Sequence, residues 1–252
     1  MNIQYCSDLH FEFNANRNFL KDNPIIPTGE ILLLAGDIMP FTEMRKHNDQ
    51  INALADQFDA VYWVPGNHEF YGYDMLQKPA PLLEKIRSNF FLVNNQQIQY
   101  KNINLVFSTL WSKISTRHEW DVEQSVTDFS IISVGTKKLT AAYFTSLHGD
   151  SLAFLASALK AAPPGNTIVV THHVPTLLNY PPKYRDSPLT EAFAVELFDF
   201  IDTCGASHWI YGHHHTNTPA FTIGSTQLLT NQLGYVQYNE HKLFRPGALL
   251  RL

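Results

Sequence analysis

The sequence predicts an α/β protein whose strands are at least partly parallel, and three observations carry that expectation. Short apolar runs rich in Ile, Val, Leu and Tyr recur along the 252 residues, and stretches of helical character separate several of them. The composition, 44% hydrophobic and 16% charged, suffices for a sizeable core. No repeat, low-complexity tract or long linker divides the chain, so one domain over 1–252 is expected.

Taken in order, the strand candidates are IQYC (3–6), ILLLA (31–35), VYWV (61–64), LVFST (105–109), TIVVT (167–171) and HWIY (208–211). Their length and β-branching favour strands over helices, and runs that are apolar at nearly every position read as buried on both faces. Helices are expected over 43–58, 74–89, 150–161 and 189–202. In 150–161, Leu152, Leu155, Ala156 and Leu159 share one face, and Asp150 or Ser151 offers an N-cap. Region 226–238 reads as two strands around a turn near Gly234, which suggests an antiparallel second half. The irregular stretches 111–136 and 175–188, the latter with Pro175, Pro181, Pro182 and Pro188, are expected as loops over a site.

Composition also excludes several function classes. The two cysteines, Cys6 and Cys204, stand too far apart to suggest a disulfide framework or a thiolate metal site, and they fit a reducing compartment. The first apolar run, NIQYC, is followed at once by polar residues, so no signal peptide or spanning helix is expected and the cytoplasm is the expected location. A net charge of −5 argues against a broad basic surface for nucleic acid. Twelve histidines favour imidazole and carboxylate as metal ligands, if a metal binds.

The residues just after each strand candidate are more informative. IQYC is followed by SDLH, ILLLA by GDI, VYWV by PGNHE, TIVVT by HHVP, and HWIY by GHHH. Five strand ends therefore present Asp, Asn or His, and in open α/β sheets the carboxyl ends of strands border the ligand crevice. In extended backbone, residues two apart project to the same side, which pairs Asp8 with His10 and His213 with His215 and leaves His214 for the rim. Each motif alone is weak; five in this order are a strong signal.

The set DxH (Asp8, His10), GD (Gly36, Asp37), GNHE (66–69), a later His172, and GHxH (His213, His215) resembles the calcineurin-like metallophosphoesterase superfamily over residues 7–215. The resemblance implies a four-layer α/β/β/α sandwich of two mixed sheets with a dinuclear site at the strand ends. It assigns Asp8, His10 and His215 to a first metal and Asn67, His172 and His213 to a second, with Asp37 bridging and His68 beside them without binding metal. His173, His214, Asp128 and Arg185 are candidate substrate-facing or ligand-supporting residues. The segment NQLGY (231–235) has Leu233 where relatives often carry Arg, which removes support for any substrate contact by that residue.

Such a donor set suits hydrolysis of phosphate esters. Two divalent cations, roughly 3.5–4 Å apart, supply a nucleophile at neutral pH and offset developing charge. Two dications against Asp8, Asp37 and one bridging hydroxide leave the inner shell near +1 in the simplest count, so a phosphoryl anion is attracted. All ligands are N or O donors, which Mn, Fe, Zn, Co or Ni can satisfy. The expected function is hydrolysis of a small phosphomonoester or phosphodiester, nucleotides among the candidates, by in-line attack of that hydroxide, with His68 assisting the leaving group. The competing readings are a nuclease of the same superfamily and a non-catalytic scaffold; the intact ligand set disfavours the scaffold.

Overall fold

The computed structural model describes residues 1–163 and 165–252. In chain order the elements are β1 (Asn2–Cys6), α1 (Asn14–Asp22), β2 (Ile31–Ala35), α2 (Asn48–Ala55), β3 (Ala60–Val64), β4 (Leu82–Arg87), β5 (Phe90–Asn94), β6 (Gln96–Tyr100) and β7 (Ile103–Ser108). There follow α3 (Glu119–Ser125), α4 (Asp128–Ile131), a two-residue ribbon β8 (Ser133–Val134) and β9 (Lys137–Lys138), α5 (Ala141–Ala161), β10 (Thr167–Thr171), α6 (Phe198–Thr203), β11 (His208–Tyr211), β12 (Phe221–Ile223), β13 (Thr226–Thr230) and β14 (Leu249–Arg251).

Two six-stranded sheets result, ordered β14-β1-β2-β3-β5-β4 and β12-β13-β11-β10-β7-β6. In each, four central strands run parallel and each edge strand pairs antiparallel. Alternation along the strands builds three apolar layers. Ile3, Tyr5, Ile31 and Leu33 face Leu105, Phe107, Ile168 and Val170 between the sheets. On the outer face of the first sheet, Leu32, Leu34 and Trp63 pack with Ile51 and Leu54 of α2. On the outer face of the second, Val169 and Trp209 pack with Leu155 and Leu159 of α5. This is the expected α/β/β/α sandwich, and it explains why ILLLA is apolar throughout: all five residues are buried because both faces of β2 are covered. Burying each such Leu contributes about 1.5–3 kcal/mol.

Several expected elements differ. The helix expected at 74–89 is absent; after a 3₁₀ turn at Met75–Gln77 the chain forms edge strand β4. Pro79 and Pro81 break the helical hydrogen-bond ladder, and beyond them half-buried Leu82, Glu84 and Ile86 alternate with exposed Leu83, Lys85 and Arg87, a period of two. Helix α5 starts at Ala141 and not at Asp150, capped by Thr140, whose hydroxyl accepts from the Tyr143 amide at 3.2 Å. The 43–58 segment contracts to a 3₁₀ turn and α2, and 189–202 divides into a 3₁₀ turn at Pro188–Ala192 and α6. Of the two strands expected in 226–238 only β13 forms. Its antiparallel partner is β12, turned at Gly224 (φ 56°), while Val236–Tyr238 is a 3₁₀ turn tied back by Tyr235 N to Glu240 Oε2 at 2.7 Å. The centre of the second sheet is accordingly parallel, not a meander. No helix among the described residues is long and apolar enough to cross a membrane.

Candidate metal centre

The loops leaving β1, β2, β3, β10 and β11 meet at one end of the sandwich. Asp8, His10, Asp37, His213 and His215 all sit there with φ between 47° and 80°. Left-handed backbone at a non-glycine residue costs about 1–3 kcal/mol, so the surrounding fold must impose it. The pairs Asp8/His10 and His213/His215 do converge, yet through these turns and not through the extended backbone that their two-residue spacing suggests.

Glycine is required where chains cross at this end. A Cβ on Gly36 (φ 90°) would lie 2.2 Å from His172 Nδ1, and one on Gly66 would lie 2.2 Å from Asp37 Oδ1 and 2.6 Å from His172 Nε2. Gly66→Ala is therefore expected to leave a cooperatively folding protein whose metal affinity falls by about 10–100-fold, the loss typical when a ligand's support is disturbed. Metal titration followed by thermal melting checks this.

Among the described residues three groups of possible ligand atoms form, each within 4.8 Å; one is His10, Glu12 and His68, and the other two share Asp37, namely Asp8, His10, Asp37 and His215, and Asp37, His172 and His213. Asp37 belongs to both through different oxygens, with Oδ2 3.9 Å from His10 Nε2 and Oδ1 3.3 Å from His172 Nε2. Asn67 Oδ1 lies 3.1 Å from His172 Nε2, which adds a carbonyl oxygen to the second group. His215 Nε2 lies 3.3 Å from Asp8 Oδ1 and 3.1 Å from His10 Nε2. All seven side chains assigned by the resemblance are thus brought together.

Each imidazole has an acceptor on its far nitrogen. His172 Nδ1 faces the Ala35 carbonyl at 2.8 Å, His10 Nδ1 faces Glu12 Oε1 at 3.0 Å, His215 Nδ1 faces Glu240 Oε2 at 2.7 Å, and His213 Nε2 faces the Ala192 carbonyl at 3.4 Å. An acceptor can receive only a proton, so each ring is left with its lone pair toward the cluster, the tautomer a cation requires. The residues fit a pair of divalent cations by donor type and by ring orientation.

The electrostatics agree. Burial opposes charge on Asp37, but His172, His68 and His10 hold its carboxyl well below the usual carboxylate range. Burial likewise opposes charge on His172 and His215, yet Asp37 raises the first to about 9 and Asp8 with Glu240 raises the second to about 10. The carboxylates draw positive charge to this cluster, the part that bound cations would take.

His68 stands beside the cluster. Its Nδ1 lies 2.9 Å from Glu12 Oε1, its Nε2 lies 3.1 Å from the Tyr235 hydroxyl, and its ring stacks on Tyr71 at 4.0 Å. The same oxygen of Glu12 therefore receives both His10 and His68. Burial opposes the Glu12 charge, but those two rings hold it down at about 2. Asn67 Nδ2 donates to Asp128 Oδ1 at 2.9 Å, which Tyr71 also reaches at 2.8 Å. That contact turns the Asn67 amide so that its oxygen faces the cluster. Glu69 reaches beyond its own turn: it accepts from the amides of Asp37 (3.0 Å), Ile38 (2.7 Å) and Gly66 (2.6 Å) and from Trp63 Nε1 (2.9 Å). Burial and Asp37 push its pKa up to about 8, but four N–H donors on two oxygens require the ionised form.

A cavity of about 400 Å³ opens onto Asp37, Asn67, His68, His213 and His215. Asp128 and His214 line it, and His214 is buried rather than on the rim: Gln232 Nε2 contacts its Nδ1 at 2.9 Å and Tyr180 stacks on it at 5.6 Å. His173 is fully buried behind His172 and His213 and does not line the cavity, a position that matches the ligand-supporting one of its two expected places. Arg185 does not line this cavity; it lines a neighbouring cleft with Arg117 and His118. Leu233 is fully buried in the core. The expected covering segments are partly right: Val126 and Thr127 from the first and Tyr180 and Tyr184 from the second line the cavity, with Thr190 and Phe193 just beyond.

Sequence reasoning missed Glu12 and Glu240. Glu12 could have been found, since it continues the two-residue spacing Asp8, His10, Glu12. Glu240 carries no local signal.

A family model described as calcineurin-like phosphoesterase matches residues 1–217. The chain belongs to the calcineurin-like phosphoesterases. A calcineurin-like phosphoesterase is a metal-dependent hydrolase of phosphoesters, and the two ligand groups described above can hold its metals. An uncharacterized protein of Acanthamoeba polyphaga mimivirus is 30% identical over 282 aligned residues, covering 98% of this chain and 95% of its own length. Among solved structures, the phosphopantetheinyl hydrolase of Mycobacterium tuberculosis superposes with a TM-score of 0.69 at 16% identity, covering 99% of this chain and 95% of that one. That likeness concerns the fold. A dimetal phosphatase of Danio rerio gives a TM-score of 0.45 at 15% identity over 92% and 87% of the two chains.

Proposed function

We propose that this phosphoesterase hydrolyses a small phosphomonoester or phosphodiester at the cluster, with Asp8, His10, Asp37 and His215 holding one cation and Asp37, Asn67, His172 and His213 the other. The observation that carries this is Asp37, whose two oxygens face the two ligand groups separately. When bound, the divalent pair supplies a nucleophile at neutral pH and offsets charge on the phosphoryl oxygens. Asp37 fixes the separation of the two groups, and Glu12, Glu240 and the Ala35 carbonyl orient the imidazoles. His68, held between Glu12 and Tyr235, is placed to give a proton to the leaving oxygen, a contribution typically about 10²–10⁴-fold.

The test uses the full chain, stripped of metal, reloaded with Mn and offered small monoesters, cyclic and linear diesters, and long single-stranded DNA. Small esters should be cleaved only after reloading, and DNA should survive. Cleavage of long DNA in preference to small esters would replace this reading by the nuclease alternative; no cleavage of any ester by the metal-loaded chain would reject it altogether.

A further inference from the structure

We propose that the cavity selects esters that carry a single phosphoryl group on a bulky, uncharged, flat or apolar alcohol, and that it discriminates against a second phosphate on the same molecule. The proposal rests on the phosphoesterase reading and adds the substrate class to it.

Three observations lead there. The first is room: about 400 Å³ falls within the roughly 300–1,000 Å³ of small-molecule sites, and so exceeds what a phosphoryl group alone needs. The second is the wall. Beyond the cluster the cavity is lined by Tyr71, Tyr180, Tyr184, Phe193 and Tyr235, and most of these rings are fixed by a partner. Tyr71 is bonded to Asp128, Tyr235 to His68, and Tyr180 and Phe193 stack on His214 and His213. Rings already held in place present faces to a flat or apolar body without further ordering cost, and burial keeps the Tyr180 hydroxyl neutral by pushing it up to about 12.

The third observation is charge. Among the described residues no lysine or arginine lines this cavity, whereas Asp37, Asp128 and Glu240 do. Lys183 is exposed and lies over the Tyr184 ring at 4.4 Å, and Arg117 and Arg185 line the separate cleft. The inner-shell surplus expected from the ligand types is moreover opposed by Glu12 and Glu240, the carboxylates behind His10 and His215. One phosphoryl group can meet the cations; a second would be desolvated against Glu240 and Asp128, with no lysine or arginine in the lining to receive it and Lys183 outside it on the Tyr184 ring.

Matched alkyl esters test this on the Mn-reloaded chain, each offered as the monoester and as its methyl diester. They are 2-phenylethyl against glycerol phosphate, and adenosine 5′-phosphate against adenosine 3′,5′-bisphosphate cleaved at the 5′ position. Phenylethyl and adenosine monophosphate should each exceed their partner at least about tenfold in kcat/KM, a typical step for one lost contact. Thr127→Lys, which places a cation on the exposed rim, should narrow the gap between the adenosine pair. Tyr184→Ala, at a half-exposed ring, should narrow the gap between the other pair. Equal or faster cleavage of the bisphosphate, or preference for glycerol phosphate, overturns the proposal while leaving the phosphoesterase reading intact. If none of the esters is cleaved, both fall together.

Discussion

Asp37→Ala is expected to lose metal and turnover together, with metal affinity falling by more than the roughly 10–100-fold typical for loss of an outer partner. The reason is geometric. Oδ1 lies against His172 and the His68 amide, and Oδ2 faces His10, so one truncation removes an anionic ligand from both groups. It also leaves His172, His10 and His68 facing one another without the carboxylate that offsets them. Asp37→Asn keeps the shape and one oxygen but turns an N–H donor toward one group, so it should retain one cation more readily than two. Elemental analysis against protein concentration, with turnover on a cleaved ester, decides the matter. Full activity with both cations bound in the Ala variant would refute the bridging assignment.

His68→Ala is expected to lower turnover of alkyl esters by about 10²–10⁴-fold while the cations stay bound. The His68 side chain supplies no ligand atom to either group; its ring nitrogens face Glu12 and Tyr235, and its ring stacks on Tyr71. An aryl ester with a good leaving group, which needs less proton donation, should be affected less. Glu12→Gln should act in the same direction through the orientation of His68, and the losses should be less than additive, the double variant being slower than His68→Ala only by what Glu12 contributes through His10. Uniform loss across leaving groups together with loss of metal would instead make His68 a support of the cluster. Additive losses would separate Glu12 from His68 and confine it to orienting His10.

The parts of this molecule legible in the sequence are those whose signal is local. Every central parallel strand except β13 stands out in the sequence as an apolar run, FFLVN of β5 included although it is absent from the strand candidates, because a strand covered on both faces needs no partner to reveal it. The seven candidate ligands were legible because each follows such a run within a few residues. Where the signal is not local, reading failed. Residues 82–87 have a helix-like composition, and only prolines at 79 and 81 and pairing with β5 make them a strand. The helix expected over 150–161 begins at Ala141 and runs through Gly149, because Phe144 and Leu155 on either side are held in buried layers.

What the sequence by itself determined, then, is the α/β architecture, the candidate donors and their N/O character, since each rests on residues adjacent in the chain. Only the tertiary structure decided which nitrogen of each histidine faces the cluster, that Glu12 serves both His10 and His68, and that Glu240 stands behind His215 across 25 residues. It alone showed that the cavity walls carry tyrosines and carboxylates and, among the described residues, no lysine or arginine. Tautomer, local charge and cavity shape are sums over groups that meet in space from distant parts of the chain, and no stretch of sequence contains such a sum.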